Sequence, residues 1–476
     1  MIVLLAIGAH FLRRNTDHED YFVGGRGMSA WHIGLSVVAT DVGGGFSIGL
    51  GGLGFMMGLS GSWMLFTGLL GAWMAAVWLI PRVYTLANKQ RFLTFPQLIG
   101  HYFDGRAAFV AGIISVVGYL GFTSAQMLAG AKLASSAVAD LDLDTALLLM
   151  GAITVAYTAL GGMKAVVYTD TVQYFVLITG LAFVGVPIAW HAVGGWEVIR
   201  ASVRPGQLSL SNVDAVTLIN WFVTIVPIWF VGMTLYQRIY ASSSEREAKK
   251  AWFIAGLLEW PLMAFLGVLL GLLGRVAADQ GMFAALAAPS AEELDPELGL
   301  PLLLRTILPV GLMGVMLSVY FSAILSTADS CLMAASGNFL TDILDRFFPF
   351  GDNDKRMLRA SQWVTLLLGI VAIAVAATME NVLDLMLSSY AFMVSGLLVP
   401  LLAAVFLGRR NANAALGAMI GGGTTTIALA HAPIHLPLGL DANVFGITAS
   451  ALIFLVLDRA LPSTNDPLRA GIQFDT

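Results

Sequence analysis

Long apolar runs, nearly free of charge and joined mostly by short loops, fill this chain from end to end. Of its 476 residues, 58% are hydrophobic and 12% charged, against about 25% charged in soluble domains. Runs of this length and polarity are the mark of helices that cross a bilayer. Thirteen segments follow one another at roughly 1–12, 29–57, 60–87, 106–138, 143–160, 165–191, 214–235, 248–276, 301–343, 358–378, 381–407, 413–430 and 443–460. The fold class expected is therefore all-α and polytopic, with the lipid bilayer as surroundings. A membrane β-barrel would show short alternating segments instead. The single cysteine, Cys331, lies inside an apolar run, so no intrachain disulfide can form. No basic cluster with interleaved aromatics points to nucleic acid, and nothing in the sequence calls for an obligate protein partner.

The first segment is short. "MIVLLAIGAHFL" reaches roughly 18 Å as a helix, against a hydrocarbon core of roughly 30 Å. It lacks the basic start and small-residue cleavage site of a signal peptide. The expectation is a first helix that has lost upstream residues.

The placement of basic residues tests the segment count. With the N-terminus outside, alternate loops fall inside. Of the 25 Lys and Arg residues, only Lys132, Arg200, Arg204, Arg275 and Arg305 then lie outside. Outside loops are acidic, as in "ADLDLD" at 139–144 and "SAEELDPE" at 290–297. The positive-inside bias therefore predicts a C-terminus in the cytoplasm. Removing or adding one helix scrambles the pattern.

Two segments are interrupted. The second, "VVATDVGGGFSIGLGG", carries an acid and three glycines at Asp41 and Gly43–Gly45; the seventh, "VTLINWFVTIVPIWFVGMTL", carries Pro227. They begin two blocks of five helices, and an odd number of helices inverts one block relative to the other. Matched broken helices in two inverted halves point to a transporter site at the membrane midplane. The domain reading is a first helix and cytoplasmic loop at 1–28, a first repeat at 29–191, and an extracellular loop at 192–213. A second repeat follows at 214–407, then two helices and a cytoplasmic tail at 408–476.

Polar groups inside the segments are candidates for chemistry. In "FSAILSTADSCLM", Ser322, Ser326, Asp329 and Ser330 recur at helical spacing, with Thr327 beside them. Hydroxyls in membrane helices commonly bond back to the preceding turn. A mid-membrane carboxylate does not share that explanation, since it costs about 2.5–3.5 kcal/mol without a partner. Carboxylate and hydroxyls together suit a hard cation. In "GGMKAVVYTDTVQYFVL", Asp170 shares a face with Gln173 and Tyr174; it reads either as part of a site or as an interfacial acid paired with Lys164. Glu259 beside Pro261 braces a kink or faces a cavity. His431 and His435, in the Pro-broken "HAPIHLPLG", read as loop residues. No nucleophile–base pair or phosphate loop is recognisable, so the chain does not read as an enzyme.

The stretches "DHEDYFVGGRGMSAW", "ATDVGGGFSIGLGG", "LTFPQLIGHYF", "AYTALGGMKAVVYTDTVQ", "LYQRIYASSSEREAKKA" and "FSAILSTADSCLM" resemble the sodium:solute symporter family, over nearly the whole chain. That resemblance implies thirteen helices in an inverted-repeat, leucine-transporter-like fold. It implies a main Na+ site made from the backbone oxygens of Ala39, Val42 and Ala323 with the hydroxyls of Ser326 and Thr327. A second cation site would fall on Asp170, Ser326, Asp329 and Ser330. Asp329 departs there from a serine or threonine, and two neighbouring carboxylates can instead share a proton. Asp170 alternatively guides sodium toward the cytoplasm.

The substrate does not carry over with the resemblance. Sugar carriers place polar residues after the unwound point, where this chain has Gly43, Gly45 and Phe46, so a sugar is disfavoured. The expected cavity is lined by Asp41, Phe46 and Trp229, with Trp63 a weaker candidate, and suits a small amino acid, carboxylate or cationic compound. The functional expectation is Na+-coupled symport of a small organic solute by alternating access. Competing readings are H+ coupling through Asp170 and Asp329, and a solute-sensing membrane module acting through a separate partner.

Overall fold

A computed structural model describes residues 23–41, 43–138, 140–160, 163–286, 288–349 and 354–461. Among them the chain is helical, with one isolated parallel bridge between Met28 and Ser242. The segment 1–12 and the tail beyond 461 lie outside the described residues. Eight described helices are long and apolar enough to cross a bilayer, or nine if one bent pair is a single span.

The second apolar segment is two helices, α1 (Ala30–Asp41) and α2 (Gly44–Met57). The joint is narrower than three glycines: Gly44 and Gly45 already belong to the first turn of α2. Gly43 is the one described residue between the helices, and its lack of a side chain has a local cause. A Cβ there would lie 1.7 Å from the Thr327 hydroxyl oxygen. Next come α3 (Trp63–Met74) and α4 (Ile80–Gln90), joined by a π turn, then a short helix α5 (Phe95–Tyr102). A capping box of Thr94 and Gln97 starts α5, each side chain meeting the other's backbone N–H. The long helix α6 (Gly105–Ala137) starts where the Asp104 carboxylate accepts from the Ala107 amide. The first half ends with α7 (Leu143–Leu160), α8 (Met163–Gly180) and α9 (Val186–Ala192).

The second half opens with α10 (Ala215–Val231), capped by Asp214. The Thr217 hydroxyl and amide hold the Asp214 carboxyl below the usual carboxylate range. Here the structure corrects the expected break. Helix α10 runs through Pro227 and ends four residues later, and α11 (Met233–Ala241) leaves at a bend of 42°. Proline removes one ladder hydrogen bond, which packed membrane helices tolerate. At Gly232 the backbone is extended, and a Cβ would sit 3.0 Å from the Ile228 carbonyl oxygen and 3.2 Å from the Tyr119 hydroxyl.

Next come α12 (Glu245–Leu257) and α13 (Ala264–Asp279), around a π turn that contains Glu259 and a cis Trp260–Pro261 bond. The single expected segment 301–343 is two helices, α14 (Gly299–Ile307) and α15 (Val310–Asn338), because extended backbone at Leu308 and Pro309 separates them. The chain then forms α16 (Asp354–Ala376), α17 (Val382–Leu407), α18 (Ala412–Ala430) and α19 (Ala442–Ala460).

Packing sorts these helices. The α1 half-helix lies against α8, α12 and α15, and α2 against α13. The long helices α6 and α15 pack on each other and on α7 and α16, and α6 packs on α17 as well. At one end, Lys132 of α6 is buried between Asp295 and Glu297, 2.6 Å from an oxygen of each. Glu297 also accepts the first two amides of α17, from Val382 and Leu383, at 3.0 Å. The α17 N-terminus and the loop before α14 are thus fastened to the end of α6.

Candidate functional site

Both interrupted helices expose backbone groups that a continuous helix would consume, since the last carbonyls of a helix have no intrahelical donor. At the end of α1 the Ala39 carbonyl accepts a hydrogen bond from the Thr327 hydroxyl at 3.1 Å. The same hydroxyl lies 3.2 Å from the Ala323 carbonyl. Gly43 presses directly on Thr327, and Ser326 is one residue away on α15. Ala39, Ala323, Ser326 and Thr327 are all buried. A cavity of about 10 Å³, roughly the space of one water, opens beside them between Ala39, Gly43, Tyr174, Met263 and Ala323. Three of the five residues expected at a main cation site, Ala39, Ala323 and Thr327, thus meet at one joint, while the hydroxyl of the neighbouring Ser326 points to Asp170. The fifth, Val42, lies outside the described residues, as do the side chains of Asp41 and Phe46.

One turn along α15 stands a charged cluster. Asp170 of α8 is fully buried and pairs with Arg238 of α11, also fully buried, at 3.3 Å. Ser326 donates to one oxygen of Asp170. Ser36 of α1 donates to the other at 2.5 Å. The Arg238 guanidinium donates to the Ser36 hydroxyl at 3.0 Å, the Thr234 carbonyl at 3.1 Å and the Ser330 hydroxyl at 3.4 Å, and also to the Thr40 hydroxyl. A buried ion pair is tolerable only when its remaining donors and acceptors are met, and here four helices meet them.

Arg238 is the residue that sequence reasoning misplaced. It was expected in an inside loop after a segment ending at 235. The structure continues the helix to Ala241 and turns Arg238 inward. The signal was present in "MTLYQRIYA", where Thr234 and Arg238 fall on one helical face amid apolar and aromatic neighbours. Asp170 accordingly faces an arginine in the interior rather than standing at the surface; the side chain of Lys164 lies outside the described residues. Arg238 already brings positive charge to Asp170 and Ser330, two of the groups expected at a second cation site. Asp329 is buried on the same helix, and its Oδ1 has no hydrogen-bond partner among the described residues.

The expected solute-site residues are less concentrated. Trp229 is 1% exposed and packs edge-on to Trp252 and against Gly71, so it sits between α10, α12 and α3. Trp63 donates to the Leu210 carbonyl and stacks on Trp260. Glu259 is buried against Gly68. His431 caps α18 and His435 lies in the loop after it. A second cavity of about 10 Å³ lies between the two helix breaks, lined by Thr40, Tyr119, Phe122, Thr234, Arg238 and Tyr390, with Cys331 also at its wall. Tyr119 accepts the Thr234 amide at 3.0 Å and so caps α11, and Phe122 stacks on Tyr390 at 4.9 Å. These aromatics were not anticipated, because an aromatic residue in a membrane helix carries no sequence mark of which way it faces.

Comparison with known proteins agrees with the fold. The model of the sodium:solute symporter family matches residues 21–422. The sodium/proline symporter of Escherichia coli (strain K12) is 30% identical over 444 residues, covering 89% of this chain and 85% of the relative. Sodium/glucose cotransporter 1 of Ovis aries is 25% identical over 445 residues, covering 85% and 66%. Among solved structures, a Na+-coupled sialic acid symporter in a substrate-bound outward-open state superposes with a TM-score of 0.80. It is 19% identical and the match covers 97% of this chain and 96% of that one.

Proposed function

The chain belongs to the sodium:solute symporter family, a membrane transporter with the leucine-transporter-like fold that couples Na+ to the movement of a small solute, and we propose that the joint between α1 and α15 is where the ion binds. Ala39 and Ala323 offer carbonyl oxygens; Ser326 and Thr327 offer hydroxyls. Val42, outside the described residues, completes the set by its place in the sequence between Asp41 and Gly43. The observation that carries this reading is the Thr327 hydroxyl held within 3.2 Å of two carbonyl oxygens, with a glycine closing over it. An all-neutral oxygen set suits a monovalent hard cation that must be released in every cycle.

The two repeats are taken as 29–191 and 214–407, with the C-terminus and the basic loops in the cytoplasm. Solute occupies the space between the two breaks. Asp41, whose side chain lies outside the described residues, is assigned to an amine, and the half-helix N-terminus at the first break, that of α2, to a carboxylate. Relatives named for proline and for glucose leave the solute class open; the lack of polar side chains at Gly43 and Gly45 favours a small amino acid, carboxylate or cation over a sugar. A tenfold sodium gradient and 100 mV supply about 1.4 and about 2.3 kcal/mol per ion, enough for several-hundredfold accumulation of a neutral solute.

Proton coupling has one observation in its favour, the unpartnered Oδ1 of Asp329; Asp170 has its charge matched by Arg238. A panel of small solutes scored by thermal stabilisation in Na+ and in K+ tests the proposal. The expected result is a compound whose stabilisation appears only in Na+. Equal stabilisation in both salts would rule out sodium coupling at this site.

A further inference from the structure

The fully buried Arg238 does more than neutralise Asp170. The half-helices α1 and α11 are tied at their ends, where the Met28 amide donates to the Ala241 carbonyl and the Ser243 amide to the Met28 carbonyl, both at 3.0 Å. The Ala30 amide donates to the Glu247 carboxylate at 2.9 Å, adding the start of α12 to the same group. These ends lie beside Arg246, Lys249 and Lys250, on the face of the molecule that carries the basic loops. α1 and α11 thus form one unit there. Within it, Arg238 is held by Ser36, Thr40 and the Thr234 carbonyl; across its border it reaches Asp170 of α8 and Ser330 of α15.

We infer that Arg238 is a positioning residue for ion coupling: its contacts with Asp170 and Ser330, with the Ser36–Asp170 bond beside them, lock the α1–α11 unit against α8 and α15, and sodium bound at the neighbouring site holds that lock closed. The link is Ser326, which sits in the proposed ion site and donates to the Asp170 oxygen that Arg238 does not use. A hydroxyl coordinates a cation through its lone pair while keeping its proton to donate. The cation makes that proton a stronger donor, and charge-assisted hydrogen bonds to a carboxylate are the strong ones. Sodium therefore strengthens the Ser326–Asp170 bond, which fixes the carboxylate that faces Arg238. Linkage makes the effect reciprocal: whatever factor sodium adds to the closed state, the closed state adds to sodium affinity. Ion departure loosens the lock, and opening then wets a pair that is wholly dry when closed.

Cys331 reports on this directly. It lines the cavity behind Arg238, is 1% exposed, and is the sole cysteine of the chain. The experiment applies a membrane-impermeant methanethiosulfonate to the full chain in sealed vesicles, from either face, with Na+ or K+. Cys331→Ser gives the background, and sodium-dependent thermal stabilisation is measured in parallel. Wild type is expected to react from the basic-loop face only, at least tenfold more slowly in Na+. Ser36→Ala and Arg238→Lys are expected to react at least tenfold faster in K+, to lose most of the sodium protection, and to raise the sodium concentration for half-stabilisation by a similar factor. Ser36→Ala removes one hydroxyl and carries the test if Arg238→Lys does not fold. Wild-type reaction rates and protection in a folded Ser36→Ala, or reaction from the opposite face, would overturn the lock. The inference rests on the proposed ion site, and the two fail differently: sodium stabilisation that survives Ser326→Ala with Thr327→Ala removes the site, whereas intact sodium stabilisation with unchanged thiol reactivity removes only the lock.

Discussion

At the scale of single residues, the proposed ion site is defined as much by a missing side chain as by its oxygens. Gly43 approaches Thr327 so closely that any Cβ would overlap the hydroxyl. Gly43→Ala must therefore displace Thr327 or spread α1 from α15. Overpacking of this kind costs about 1–3 kcal/mol. The expected outcome is a protein that still folds but needs much more Na+ for thermal stabilisation; unchanged sodium dependence would show that the contact does not matter. Asp170 and the Ser326–Ser330 face were legible from helical spacing and the rarity of acids in lipid. Arg238 was not, because a basic residue just past an apolar run looks like an inside-loop charge, and only the length of the helix decides otherwise. Trp229 illustrates the opposite difficulty. Its position near a break suggested a cavity wall, and whether an indole faces a cavity or a neighbouring helix depends on packing partners such as Gly71 and Trp252.

At the scale of elements, the two breaks arise differently. The first was readable because an acid and three glycines interrupt a span, although only Gly43 is needed for the close approach. The second was misplaced at Pro227, the conspicuous helix breaker, because neighbouring helices support a proline within a span while a lone glycine among the 51 in this chain carries no flag. Substitution separates the two. Pro227→Ala is expected to leave sodium-dependent solute stabilisation intact. Gly232→Val is expected to abolish it, since its side chain would meet the Ile228 carbonyl and Tyr119. The reverse pattern would restore the break to Pro227. The fastening of α6 to the α17 N-terminus is a separate element-scale feature. Lys132→Ala strips the buried Glu297 and the partly exposed Asp295 of their counter-charge; uncovering a buried charge costs about 3–5 kcal/mol, here mainly at Glu297. A correspondingly large fall in unfolding temperature in detergent is expected, and a shift near zero would show that water replaces the lysine.

At the scale of the whole molecule, low charge and regular apolar segments made the fold class plain before any contact was known. The two breaks border one cavity, which Thr40 of α1 and Thr234 of α11 both line. Each break releases backbone groups that need partners inside lipid, and hydroxyls of neighbouring helices meet some of them: Thr327 at the Ala39 carbonyl and Tyr119 at the Thr234 amide. The proposed ion site adjoins the Asp170–Arg238 cluster through Ser326, and that cluster shares Thr40 and Arg238 with the aromatic cavity. What the sequence lacked was the third dimension: α8, α11 and α15 are remote in the chain, and no spacing rule relates Asp170 to Arg238.

The most direct test is saturable binding of radioactive sodium to the purified chain, compared between wild type and Ser326→Ala with Thr327→Ala. Saturable binding in wild type that vanishes in the double variant, while K+ does not displace it and unlabelled Na+ does, is the predicted result. Binding of unchanged affinity in the double variant would contradict the placement of the ion at the joint of α1 and α15.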